Sequence, residues 1–135
     1  MQLSARPRPA GLYWSTGFFV AAGLLEIVLP MTTDPGSLTL VRLWEATGKA
    51  ILDFLVAFGL WKRVALVRSV AMVYCLGAIL AYAAAIAVAW SGAPFRYPRA
   101  LVIASLFEVP SCALLYPWLR SAEAGSVFTR PLVGP

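Results

Sequence analysis

Residues 43 to 61 read LWEATGKAILDFLVAFGLW, an apolar run bracketed by tryptophan and interrupted by charge only at Glu45, Lys49 and Asp53. Three further runs have the same character: Leu12 to Leu29, Val70 to Trp90 and Ala100 to Leu119. Each holds about 18 to 21 residues, so as a helix each reaches about 27 to 32 Å, the thickness of a bilayer's hydrocarbon core. Trp14, Trp44, Trp61, Trp90 and Trp118 sit at or near the ends of these runs. That is the level at which an indole satisfies both its apolar body and its polar N–H. The sequence predicts an all-α fold, an integral membrane four-helix bundle in antiparallel up-down-up-down order.

Composition agrees. Of the 135 residues 61% are hydrophobic and 13% charged, and the mean hydropathy is +0.80, whereas about a quarter of a soluble domain is charged. Four spans leave room for one domain, residues 1–120, followed by a Ser, Gly, Thr and Pro segment, 121–135, expected as a short mobile cytoplasmic tail. The net charge of +5 does not imply nucleic acid, because the basic residues lie between the spans rather than along one face. Arg6, Arg8, Lys62, Arg63, Arg68, Arg120 and Arg130 fall on one side of the spans, and Arg42, Arg96 and Arg99 on the other. The positive-inside rule then predicts a multi-pass protein of the inner (plasma) membrane with both termini cytoplasmic. Arg6 and Arg8 ahead of an apolar run resemble a signal peptide. Apolar sequence continues to Leu29, however, past any cleavage after Ala21 or Ala22, and is read as a retained span. Pro30, Asp34, Pro35 and Gly36 mark the first outer loop, Ser91, Gly92, Pro94 and Pro98 the second, and Lys62 to Arg68 a short inner loop.

Chemistry, if any, lies in five ionisable residues inside the spans: Glu26, Glu45, Lys49, Asp53 and Glu108. Arg42, Glu45, Lys49 and Asp53 follow at intervals of three, four and four, a stripe of alternating sign in which Lys49 is expected to pair with Glu45, Asp53 or both. Glu26 and Glu108 arrive from the first and fourth spans at a similar depth. One charged residue at a helix centre costs about 2.5 to 3.5 kcal/mol on insertion scales, so the five are expected to face inward and meet. Four acids against Lys49, with Arg42 at the rim, leave two negative charges. Protonation, the Arg96 and Arg99 loop folding over, or a bound cation or cationic ligand would balance them. Glu108, beside the bend expected at Pro110, is the first candidate to carry the proton. Two readings stand side by side: a polar clasp that fixes helix register, and a proton- or ligand-binding site.

The absences exclude much. There is no histidine, which removes histidine-ligated haem, the E-x-x-H di-iron bundle and most catalytic zinc sites. No G-x-S-x-G, Walker loop or G-x-G-x-x-G occurs either. No cofactor, metal site or catalytic residue is therefore expected, and an enzyme is the least supported class. Cys75 and Cys112 are placed at a shared depth of the third and fourth spans and read as small core residues. Gly77, Ala81 and Ala85 form a small-residue stripe on the third span, expected as a packing face.

Gly23-Leu24-Leu25-Glu26 near the end of the first span, and Gly59-Leu60-Trp61-Lys62-Arg63 closing the second, resemble the small DoxX-like membrane proteins. The likeness covers most of the chain in layout and implies a four-helix bundle; no functional residue comes with it. The reading reached is an accessory or small-ligand-binding subunit. Its partners are the lipid bilayer and either a second copy of itself or another membrane subunit. A proton- or cation-coupled small transporter is the alternative.

Overall fold

A computed structural model describes residues 9–33, 39–91 and 99–129. Four long helices, α1 (Ala10–Thr33), α2 (Leu40–Trp61), α3 (Ala65–Trp90) and α4 (Arg99–Arg120), are followed by a short α5 (Ala122–Phe128). No strand occurs among the described residues. Successive helices pack side by side and α4 closes back onto α1, the α1–α2 contact being the most extensive. The order is antiparallel. Tyr13 at the start of α1 meets Trp61 at the end of α2, with ring centroids 5.7 Å apart, and Gly11 lies so close to Trp118 near the end of α4 that a Cβ there would overlap the indole.

Three boundaries differ from the sequence reading. Helix α1 runs through Pro30 instead of ending before it. A proline this close to a helix end removes one hydrogen bond, the one to the Glu26 carbonyl, and the remaining turn survives. Arg68, expected in the inner loop, belongs to the first turn of α3, so the connection shrinks to Lys62–Val64. The third is the segment after Arg120, which is not an unstructured tail as far as Phe128. Ser121 caps α5 by accepting from the Ala124 N–H at 3.2 Å. Ala124 and Phe128 are buried in the main core, an apolar pair at helical spacing that the polar composition masked. Residues 130–135 lie outside the described set.

The α2–α3 turn has its own logic. The Val64 N–H donates to the Gly59 carbonyl and the Arg63 N–H to the Leu60 carbonyl, both at 2.9 Å. These are the paired bonds of a Schellman ending, in which the residue past the cap adopts the left-handed conformation that glycine favours. Here that residue is Arg63, with φ of 60°. A left-handed non-glycine residue costs about 1 to 2 kcal/mol. Arg63→Gly is therefore expected to raise stability by about 1 kcal/mol, part of the gain being lost to glycine's greater unfolded freedom. Thermal melting in detergent measures it, and a lower melting point would show that the guanidinium makes a contact worth more than the strain.

The buried apolar core gathers toward the end of the bundle that holds the α2–α3 turn. It includes Leu12, Phe19, Val56, Leu60, Ala71, Leu115 and Leu119. By length and composition, two helices among the described residues can cross a membrane, α1 over Ala10–Thr32 and α3 over Ala65–Ala84. Helix α2 carries four ionisable residues and α4 has lower mean hydropathy with two internal prolines, Pro110 and Pro117. The small-residue face of α3 does not pack as expected: Gly77 and Ala81 are exposed and nothing approaches the Cβ position of Gly77. Helix α3 instead turns Ala71 and Cys75 inward, and the side chain of Ala85 lies outside the described set.

Candidate functional site

Lys49 joins three helices. Its Nζ donates to Glu108 Oε1 of α4 at 2.7 Å and, on the other side, to Glu26 Oε1 of α1. Gly23 makes this possible. A Cβ there would stand 3.1 Å from Phe54 Cζ and 3.3 Å from the Ala50 carbonyl oxygen. Its absence lets α1 approach the α2 backbone one turn before Glu26. The Lys49 ammonium also lies 5.9 Å from the centroid of the Tyr74 ring, so α3 contributes the fourth wall. Tyr74 in turn meets Phe19 edge-on at 5.1 Å, Phe19 meets Phe18 at 5.0 Å, and Phe18 stacks on Phe107 of α4 at 5.6 Å.

Of the five sequence-predicted residues, four converge: Glu26, Lys49, Asp53 and Glu108. Glu45 does not. It is exposed and takes no part in the cluster. Nor does Lys49 pair with its own helix; it reaches across to α1 and α4. The reason is geometric. At 3.6 residues per turn, a spacing of four advances by about 40° each step, so the stripe winds around α2. Asp53 ends fully inside, Lys49 at the edge and Glu45 outside. The Arg42 and Arg99 side chains and the whole of Arg96 lie outside what is described, and with them the expected fold-over.

Asp53 is 0% exposed, and neither carboxyl oxygen has a hydrogen-bond partner. The Tyr74 hydroxyl, near enough to interact with it electrostatically, is also enclosed and unpartnered. Nothing in the sequence marks Tyr74, which stands one helical turn after Val70 and one before Ala78 in an uncharged apolar run. Among the described residues no three or more His, Cys, Asp or Glu side chains are arranged to hold a metal ion. Cys75 and Cys112 are both free and fully buried, and their thiols interact across the α3–α4 interface, at the shared depth expected.

A cavity of about 530 Å³ opens between α1 and α4 and is lined mostly by apolar groups, among them Trp14, Phe18, Ala21, Phe107 and Leu114. Phe107, the chain neighbour of Glu108, brings this wall beside the helix turn that holds the cluster. The outer surface is apolar as well. Trp14 is 74% exposed, Trp44 73%, Leu106 74% and Leu114 78%, and Leu55 and Phe58 of α2 and Val73 of α3 are exposed as well. Asp53, Glu108, Ser15 and Ser105 are buried. Buried carboxyls within the apolar core, together with many large apolar side chains outside, depart from the usual pattern of a water-soluble domain.

No protein-family model matches the chain, and neither a curated protein nor a solved structure is found similar to it.

Proposed function

We propose that the chain is a four-span membrane protein acting as an accessory or small-ligand-binding subunit, with the Glu26–Lys49–Glu108 cluster as its binding centre. The observation that carries this is the placement of polarity: Asp53 of α2 and Glu108 of α4 are turned inward and Lys49 reaches in to Glu26 and Glu108, while the large exposed side chains of both helices are mostly leucine, isoleucine, phenylalanine and tryptophan. A helix whose composition alone is too polar to cross a bilayer becomes compatible with lipid once its charges are paired inside. The excess of positive residues on the side of the α2–α3 turn supports cytoplasmic termini in the inner membrane. The layout fits the likeness to small DoxX-like membrane proteins. The apolar cavity is within the 300 to 1,000 Å³ typical of ligand pockets and suits an apolar molecule or lipid chain.

A proton- or cation-coupled carrier is the second reading, favoured by Asp53, a buried acid without a partner. Native mass spectrometry of the detergent-purified protein tests the proposal. The expected result is a detergent-dependent species that retains a bound small molecule, lipid or second subunit. A chain that purifies without detergent as a bare, soluble monomer overturns it. Ion flux in liposomes from an otherwise unliganded protein moves the assignment to the carrier.

A further inference from the structure

Among the described residues, Asp53 is the one charged side chain that is both fully enclosed and without a bonding partner. The groups near enough to act on it electrostatically come from every long helix: Glu26 from α1, Lys49 from its own helix α2, Tyr74 from α3 and Glu108 from α4. Lys49 is the only cation in that set and is already shared between Glu26 and Glu108. A carboxylate left in this position is a buried charge with no counter-charge of its own, one of the costliest arrangements a protein interior can hold. Apolar neighbours do nothing to reduce that cost, and the Tyr74 hydroxyl, which is a dipole, reduces it only in part. One positive charge delivered to the carboxyl removes it. The hydroxyl oxygen of Tyr74 then stands ready to accept from an acidic O–H or to face a cation.

We infer that Asp53 and Tyr74 form a binding site for a single positive charge, a proton or a small monovalent cation such as Na⁺, beside the Lys49 clamp and distinct from it. The inference rests on the Glu26–Lys49–Glu108 cluster being the binding centre and adds to it a neighbouring position for one exchangeable charge. It also moves the exchangeable charge away from Glu108, which Lys49 already neutralises in part. Two carboxyl oxygens and one phenol oxygen hold one charge at a time; uptake at Asp53 changes the net charge of the cluster by one and leaves the Lys49 bridge in place.

Infrared difference spectroscopy on the detergent-purified protein separates the alternatives, first by titrating between about pH 5 and about pH 9, a range above the ordinary Asp value near 3.9, then by adding Na⁺ at fixed pH. A protonated-carboxyl band that changes with pH, disappears in Asp53→Asn and persists in Glu26→Gln and Glu108→Gln identifies a proton. A carboxylate band that shifts with Na⁺ and is lost in Asp53→Asn identifies the cation. In either case Tyr74→Phe moves the band or its midpoint, which keeps the test decisive if Asp53→Asn fails to fold. No Asp53- or Tyr74-dependent change with either titrant overturns the inference. Stability measurements on Lys49→Met judge the cluster separately: a normal loss there with a silent Asp53 sinks this inference alone, and no loss there sinks the clamp on which both depend.

Discussion

Lys49→Met is expected to destabilise the bundle by about 3 kcal/mol. Breaking a buried ion pair from one side costs about 3 to 5 kcal/mol, and the lower end applies because 35% of the Lys49 side chain remains accessible. The loss exceeds that of an ordinary pair in kind. Without the ammonium, the Glu26 and Glu108 carboxylates, which had approached a common cation from two helices, face each other with nothing between them. Adding Glu26→Gln and Glu108→Gln to Lys49→Met removes the repulsion and is expected to recover most of the loss, since these three groups couple strongly and their effects do not add. Glu45→Gln, on the exposed side of α2, is expected to change stability by less than about 0.5 kcal/mol. Chemical or thermal unfolding in detergent reads these three variants and Glu26→Gln alone. If Glu45→Gln costs as much as Glu26→Gln, the pairing across helices is wrong.

Arg68→Met is expected to cost about 3 kcal/mol and to loosen the end of the chain. Arg68 Nε donates to the Leu119 carbonyl at 2.7 Å and Nη2 to the Ser121 carbonyl at 3.3 Å. The Leu119 carbonyl lies in the last turn of α4, where carbonyls lack helical partners and the helix dipole favours a cation, whereas the Ser121 carbonyl also accepts from the Gly125 N–H of α5 at 3.0 Å. Each hydrogen bond from a charged donor contributes about 1.5 to 3 kcal/mol, and the weaker second bond places the pair at the lower end of the combined range. The guanidinium also passes 3.5 Å from the Cβ position of Gly125, so α5 rests on it. Arg68→Lys is expected to rescue only part, because an ammonium cannot span two carbonyls in the fixed fork of a guanidinium. Hydrogen exchange at residues 122–128 checks the consequence: faster exchange in Arg68→Met supports the clasp, and unchanged exchange means α5 is held by Ala124 and Phe128 alone.

Helical character, the number of long helices and their approximate limits were legible from the chain. Apolar run length and tryptophan placement depend on local composition, and local composition is all that is needed to form a helix of this kind. The convergence of Glu26, Lys49 and Glu108 was legible as well, because a charge set in an apolar run is costly to bury alone and finds its counter-charge on another helix. The partner of Lys49 was not. The four-residue spacing of Glu45, Lys49 and Asp53 pointed along α2, while the fold turned that stripe about the helix axis and chose Glu26 and Glu108, whose approach depends on a glycine at position 23. The role of Arg68 and the order in α5 were also hidden. A basic residue near a helix start and two apolar residues in a polar tail acquire meaning only when the end of α4 is brought beside them. What the sequence settled on its own is where the long helices form and that charges set in apolar runs on three of them, Glu26, Lys49 and Glu108, come together. The tertiary structure alone decided which charges meet and left Asp53 without a partner, because pairing is set by the rotation and closeness of helices distant in the chain, and no spacing along one helix encodes that.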